Sequence, residues 1–384
     1  MKDSILNIAD LLIKKGLPYA IYCLPGDSTF NLVFQKSKIL GHFDILNIEN
    51  ASGFVVAPFD SAKTGMANLI IPDFVLTEGD NTDAAIEFIN TFPDNGNFHF
   101  TDNFRISKSD YLERASYLIN MLKKGELQKV VLSRVVQKNL KTKLNINKLL
   151  KKLKEKYNDA FVYLFHLPDE GTWCGASPET LFKVVKNSIF IDALAGTQLV
   201  NNDNPPTLRT DKKSTTPIWT PKENEEQNFV SLFIKSLLSE LGINNYKQTG
   251  PVTVYSGNLA HLKTTFNIPV SFDKSKTGRL IAGLHPTPAV CGLPKAEAYM
   301  LIQKAEQHQR RYYTGFLGPW KMGDYLHDCN QVSQLFVNLR CAELDHNKIN
   351  IYVGGGLTTS SNPKAEYQET VHKSQTLVSV VENL

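Results

Sequence analysis

Glu366, Glu369 and Lys373 stand at i, i+3 and i+7 in the run NPKAEYQETVHK, so on a helix two carboxylates and one ammonium share a face. Asn362 is placed to cap that helix, with Pro363 in its first turn. Before it come a short apolar strand (Ile351, Tyr352, Val353), three glycines and a Ser/Thr-rich turn. Gly354, Gly355 and Gly356 let the backbone approach a ligand and leave peptide N–H groups free to meet an anion. The combination suits an oxyacid and a hard cation. Taken alone, Glu369 and Lys373 equally make an ordinary i,i+4 pair on a solvated helix.

A second carboxylate pair, Glu223 and Glu226, lies at i and i+3 where KENEEQ opens a long amphipathic helix with Phe229, Val230, Phe233, Ile234, Leu237 and Leu238 inward. Two such pairs brought together repel unless a divalent cation lies between them, and oxygen-only ligands favour Mg²⁺ over zinc or copper.

Proton chemistry has two candidates. Lys129 begins the β-branched run KVVLSRVVQ, and a lysine at the mouth of a buried strand is desolvated, which frees its neutral amine to act as a base. A lysine that merely ends a loop reads the same way. Glu179, in a tight GASPE turn between two strands, is expected to be partly buried and so kept protonated as an acid. Arg340, among the apolar neighbours of the predicted strand LFVNLRCAEL, needs an anionic partner.

The elements that must position these groups are those of an ordinary globular chain. The sequence has 384 residues, 42% hydrophobic and 21% charged, enough to bury a core as one large unit or two domains. A net charge of +4 suits a small anionic substrate and is too weak to argue for nucleic acid. The lysines of INKLLKKLKEKY read as the wet side of an amphipathic helix, without interleaved aromatics. Five scattered cysteines with no C-x-x-C pair indicate neither a zinc site nor a disulfide framework, and a cytoplasmic setting is expected. MKDSILNIADLLIKKG has an amphipathic helix pattern without the apolar core of a signal peptide, and no run approaches a membrane span. Residues 1–106 read as a helix and short strands (19–24, 43–48, 53–59) carrying no chemistry, with a connection at 92–103. From a helix capped by Ser107 the pattern becomes regular. A mobile loop is expected over 201–219, and a helix from Lys295 to about Gln309.

The ordered blocks QKVVLSR, GASPE, LAGT, KxxxE, HLKT, HPTPAVCGLP, LRCA, GGG and EYQETVHK resemble the chorismate-utilising enzymes, and among them the isochorismate synthases of menaquinone and siderophore biosynthesis. The likeness covers roughly residues 107–384, the catalytic region, with 1–106 a variable N-terminal part. It implies an α+β fold like that of anthranilate synthase component I: a single large domain of two packed, mostly antiparallel sheets with helices outside and a Mg²⁺-dependent site between them. By position, Lys129 matches the general base that activates water and Glu179 the general acid. Glu226 and Glu369 match direct Mg²⁺ ligands, and Glu223 and Glu366 acidic residues that reach the metal through water. Arg340, Gly354 and Lys373 match groups around the substrate carboxylates; Gly196, Thr197, His261, Ala289 and Tyr352 match the ring pocket. Lys129, together with Ala195 where aminodeoxychorismate synthases carry a lysine, favours water over ammonia, and no glutaminase subunit, nucleic acid or membrane partner is expected. Gln227 departs from the family's histidine. Tyr352 is also seen in salicylate synthases, which eliminate pyruvate from isochorismate.

Overall fold

The computed structural model describes residues 5–96, 100–101, 105–186, 188–199, 217–256, 259–269, 273–322, 331–382 and 384. Most of the loop expected over 201–219, part of the 92–103 connection and Cys329 lie outside them. Among the described residues two sheets of nine strands each are formed, and every strand pair in them is antiparallel.

The first sheet runs Gly292–Leu293, Lys129–Asn139, Lys348–Leu357, Cys341–Leu344, Gly171–Ser177, Phe161–Leu167, Tyr19–Cys23, Asn31–Phe34, Phe74–Thr77. The second runs Lys247–Ser256, Leu259–Pro269, Ser188–Leu199, Thr180–Val185, Ser333–Val337, Phe316–Trp320, Gly53–Ala57, Met66–Ile70, Gly41–Asp44. The sheets meet face to face over an aromatic core in which Phe161 of the first stacks on Phe336 of the second, ring centroids 4.1 Å apart. Helices cover the outer faces. Ile5–Lys15, Ile146–Lys156 and Pro363–Val381 pack on the first sheet, and Pro221–Glu240 and Thr277–Leu284 on the second. The α+β, two-sheet architecture expected above is therefore the one found.

Local chemistry explains where the elements begin and end. Asn362 accepts from the backbone of Lys364 and Ala365, and Ser107 from that of Asp110, so both predicted N-caps form. The strand expected over 43–48 stops at Asp44, whose carboxylate accepts from Leu46 N and starts a 3₁₀ helix over Ile45–Asn50. The helix expected to reach Gln309 ends at Ala305, because Glu306 takes an extended backbone and pairs with Arg310 at 2.7 Å. The N-terminal residues supply strands to both sheets, so they are woven into the same body as the rest.

Candidate active site

The chain passes from one sheet to the other twice within a short distance, and a candidate catalytic residue sits on each passage. Between Gly171–Ser177 and Thr180–Val185 the passage carries Glu179; between Ser333–Val337 and Cys341–Leu344 it carries Arg340. The two are tied by backbone bonds, Val337 N to Glu179 O at 3.0 Å and Ala176 N to Arg340 O at 3.2 Å. Arg340 thus lies in a turn with φ 50° and not in the strand expected for it, since the sheet changes there. Among the described residues its guanidinium has no hydrogen-bond or ion-pair partner, and it faces a cavity.

Glu179 is 3% exposed, and its Oε1 is buried without a partner. Burial pushes its carboxyl up to about 8, partly countered by Lys129 and reinforced by Asp192, so it is protonated at neutral pH. Lys129 is 2% exposed; burial lowers its amine, with Glu226 opposing and Lys373 and Lys222 reinforcing the effect. Both side chains border the same cavity.

The three glycines are not a turn. They continue the Lys348–Leu357 strand, held in register by pairing with Ser133, Leu132 and Val131, so long-range pairing overrides the local glycine signal. Their N–H groups are accordingly part of a strand, whose other edge loses its partner beyond Tyr352. Each glycine instead makes room for a polar group. A Cβ on Gly354 would stand 2.8 Å from Tyr313 Oη, one on Gly355 3.4 Å from Glu366 Oε2, and one on Gly356 2.8 Å from Lys129 Cε.

The second sheet closes the cavity from the other side. The ALAGT segment also continues a strand, with a bulge at Ala195–Gln198 where Gly196 takes φ 72°. His261 Nδ1 lies 3.0 Å from Gly196 O and 3.2 Å from Thr197 Oγ1, and burial lowers its pKa to about 3. The ring is therefore neutral, with Nδ1–H given to Gly196 and a buried Nε2 left as an unpartnered acceptor. Ala289, Tyr352, Gly354 and Thr197 also line the cavity.

Of the four glutamates, Glu226 and Glu369 border the cavity. Lys373 pairs with Glu369 at 2.5 Å and donates to Gly354 O at 3.0 Å. Glu366 is 1% exposed; one oxygen pairs with Lys222 at 2.5 Å and accepts from Ser361, while Oε2 is buried without a partner. Lys222 also lies 3.7 Å from Glu226. Glu223 behaves differently from expectation: both its oxygens are taken, by Gln198 Nε2 at 2.9 Å and by the N–H and hydroxyl of Thr220 in a capping box. It is bound up in starting the helix. The donors Glu226, Glu366 and Glu369 suit a hard divalent cation in chemistry, and the unpartnered Glu366 Oε2 is a buried acceptor awaiting one. Among the described residues, however, no three of His, Cys, Asp or Glu stand close enough together to hold a metal as placed; ammonium groups hold them instead.

The cavity thus gathers twelve of the fourteen residues singled out from the sequence and leaves Glu223 and Glu366 outside its lining. Sequence reasoning missed Tyr313 and Thr287. Tyr313 lines the cavity beneath Gly354, and Thr287 lies near enough to Glu179 to oppose slightly the rise of its pKa, its hydroxyl buried without a hydrogen-bond partner. Thr287 lies in the block HPTPAVCGLP and Tyr313 in the run YYTGFLG, but nothing in their spacing marks a side chain that only the fold turns inward.

Two packed antiparallel sheets with a polar, lysine- and glutamate-lined cavity between them define the class of fold. The sequence profile of the chorismate binding enzyme family matches residues 76–382, and the chain belongs to that family. Among individual relatives it is 28% identical over 272 residues to the vibriobactin-specific isochorismate synthase of Vibrio cholerae, 71% of this chain and 66% of that protein. It is 27% identical over 257 residues to isochorismate synthase EntC of Escherichia coli K12, 66% of this chain and 62% of that protein. The chain thus matches slightly under two thirds of the length of these relatives. Its fold superposes on a Bacillus anthracis structure assigned as the 2,3-dihydroxybenzoate-specific isochorismate synthase DhbC, with TM-score 0.74 and 25% identity over 97% of this chain and 99% of the other. It shares a fold with anthranilate synthase component I of Streptococcus pneumoniae, TM-score 0.65 at 14% identity, covering 94% of this chain and 89% of that one.

Proposed function

We propose that this protein is an isochorismate synthase, a Mg²⁺-dependent isomerase that adds water at C2 of chorismate and expels the C4 hydroxyl. One observation carries the reading: a buried lysine with a lowered pKa and a buried glutamate raised to about 8 face one cavity. Neutral Lys129 takes a proton from water as its oxygen bonds to C2. Glu179 gives its proton to the departing C4 oxygen as that bond breaks and the ring double bonds shift, so a water enters and a water leaves. Arg340, unpaired among the described residues, supplies a guanidinium for a substrate carboxylate, and the acceptor at His261 Nε2 meets a hydroxyl. Mg²⁺, held by Glu226 and Glu369 with Glu366 behind them, would offset carboxylate charge on the substrate. Among the described residues four buried cysteines stand as free thiols, as in a reducing cytoplasm.

A nucleic-acid role for the lysine-rich helix finds less support, since Lys148 and Lys156 are bonded to Leu384 O and Ser379 Oγ of the C-terminal segment. The test is incubation with chorismate and Mg²⁺ followed by product separation. Isochorismate is expected. Its absence rejects the proposal, and stoichiometric pyruvate with salicylate makes the enzyme a salicylate synthase, to which the tyrosine at 352 also corresponds.

A further inference from the structure

Lys222 is the first lysine of the helix that carries Glu226, and its ammonium is not spread into solvent. It lies 2.5 Å from Glu366 Oε1 and 3.7 Å from Glu226 Oε1, joining the Pro221–Glu240 helix to the Pro363–Val381 helix at the edge of the cavity. Glu369 adds its charge to the same neighbourhood. Two carboxylates, one from each helix, thus hold one lysine between them, with Glu369 acting on it from beside Lys373, and a cation bound by these carboxylates must contend with it. The second oxygen of Glu366 is buried with no partner, facing the gap left by Gly355. That oxygen is an acceptor on the same carboxylate that holds the lysine. The lysine side chain is 28% exposed, so its four-carbon stem has a way outward.

We propose that Lys222 is a built-in competitor of the divalent cation: its ammonium and Mg²⁺ bind the same glutamates in turn, and metal entry drives the ammonium out to solvent. Two helices are held together at this point in either state, by the ammonium or by the metal. Occupancy of the site then answers to the free Mg²⁺ concentration as an exchange of cations and not as simple filling. The inference rests on the proposed metal-binding role of Glu226, Glu366 and Glu369, and its test reads metal binding without chorismate.

Mg²⁺ is titrated by calorimetry into wild type and Lys222→Met, and the thermal midpoint of each is measured with and without MgCl₂. Removing the competitor is expected to tighten the Mg²⁺ dissociation constant by about tenfold or more. The variant is expected to melt below wild type without metal, its carboxylates lacking a counter-ion, and to recover at saturating Mg²⁺. Equal or weaker Mg²⁺ binding by Lys222→Met overturns the proposal while leaving the metal site intact; no Mg²⁺ binding by either protein overturns both. Because the variant can fail to fold, wild type is also probed by reductive methylation and mass spectrometry. Lys222 is expected to react slowly without metal and several-fold faster with Mg²⁺ bound. An unchanged or slower rate under conditions where calorimetry shows Mg²⁺ bound overturns the proposal.

Discussion

Lys129 occupies space that only Gly356 leaves open: a methyl group on that glycine would stand 2.8 Å from the lysine's Cε. The backbone at Gly356 is ordinary strand, so Gly356→Ala is expected to fold with little loss of stability and to push the base aside. Displacing a catalytic group by about 1 Å costs on the order of a hundredfold, so turnover should approach that of Lys129→Ala while the thermal midpoint hardly moves. Steady-state kinetics beside calorimetric melting checks this. Near-normal turnover in Gly356→Ala would mean that water is activated from elsewhere. For Lys129→Ala, forward and reverse rates should fall by the same factor, because an enzyme cannot shift the equilibrium.

The acid predicts a pH limb. Glu179 must hold its proton to give it, and with its pKa near 8 the rate kcat/KM should fall as pH rises through about 8. Glu179→Gln should lose at least about a hundredfold in rate and also lose that limb. Stability falls in the same direction, over a lower range of pH. A folded pKa above the ordinary 4.5 means that the contribution of Glu179 is fully present below about pH 4.5 and is lost as pH rises to about 8. The thermal midpoint of Glu179→Gln should therefore gain on wild type between pH 5 and pH 8. A constant difference across that range would show that the carboxyl is not held protonated.

Arg340 stands without a partner among the described residues, and its removal should weaken substrate binding with little effect on the fold. A charge-assisted bond of about 2 kcal/mol corresponds to roughly a thirtyfold rise in KM for Arg340→Met, with unfolding midpoint near that of wild type. An unchanged KM for chorismate would remove it from the substrate site.

The glutamates should separate by role. Glu369→Gln and Glu226→Gln are expected to lower Mg²⁺ affinity strongly in calorimetric titrations. Glu223→Ala, by contrast, breaks a helix cap and should cost about 1 kcal/mol of stability with Mg²⁺ affinity largely kept. Loss of metal binding in Glu223→Ala comparable to that in Glu369→Gln would return Glu223 to the metal.

Helices whose ends carry their own caps were readable one residue at a time: Asn362 with Pro363, and Ser107, fixed their helices locally. Buried, oppositely shifted Lys129 and Glu179 were readable because desolvation follows from an apolar setting alone. The sequence ends its apolar strand at Val353 and gives no sign that the glycines extend it, because their strand geometry comes from pairing with residues more than two hundred positions away. Arg340 was read into a strand because nothing in LRCA tells that the chain changes sheets there. Glu223 resembled a metal residue by spacing, and only the position of Thr220 and Gln198 reveals what its oxygens bind. Thr287 and Tyr313 needed the fold before their hydroxyls had any neighbour to act on.

Tyr19–Cys23 forms its sheet with Phe161–Leu167, and Gly53–Ala57 with Phe316–Trp320. At a synthesis rate of about 5–20 residues per second, the first of these strands waits roughly 7–30 seconds for its partner to be made, and the second roughly 13–50 seconds. During that wait the nascent chain carries apolar strands with unpaired edges, the condition that favours aggregation and chaperone capture. The same long-range pairing makes refolding slow, and expression of the region from residue 107 onward should yield insoluble chain, because both sheets would lack their N-terminal flank.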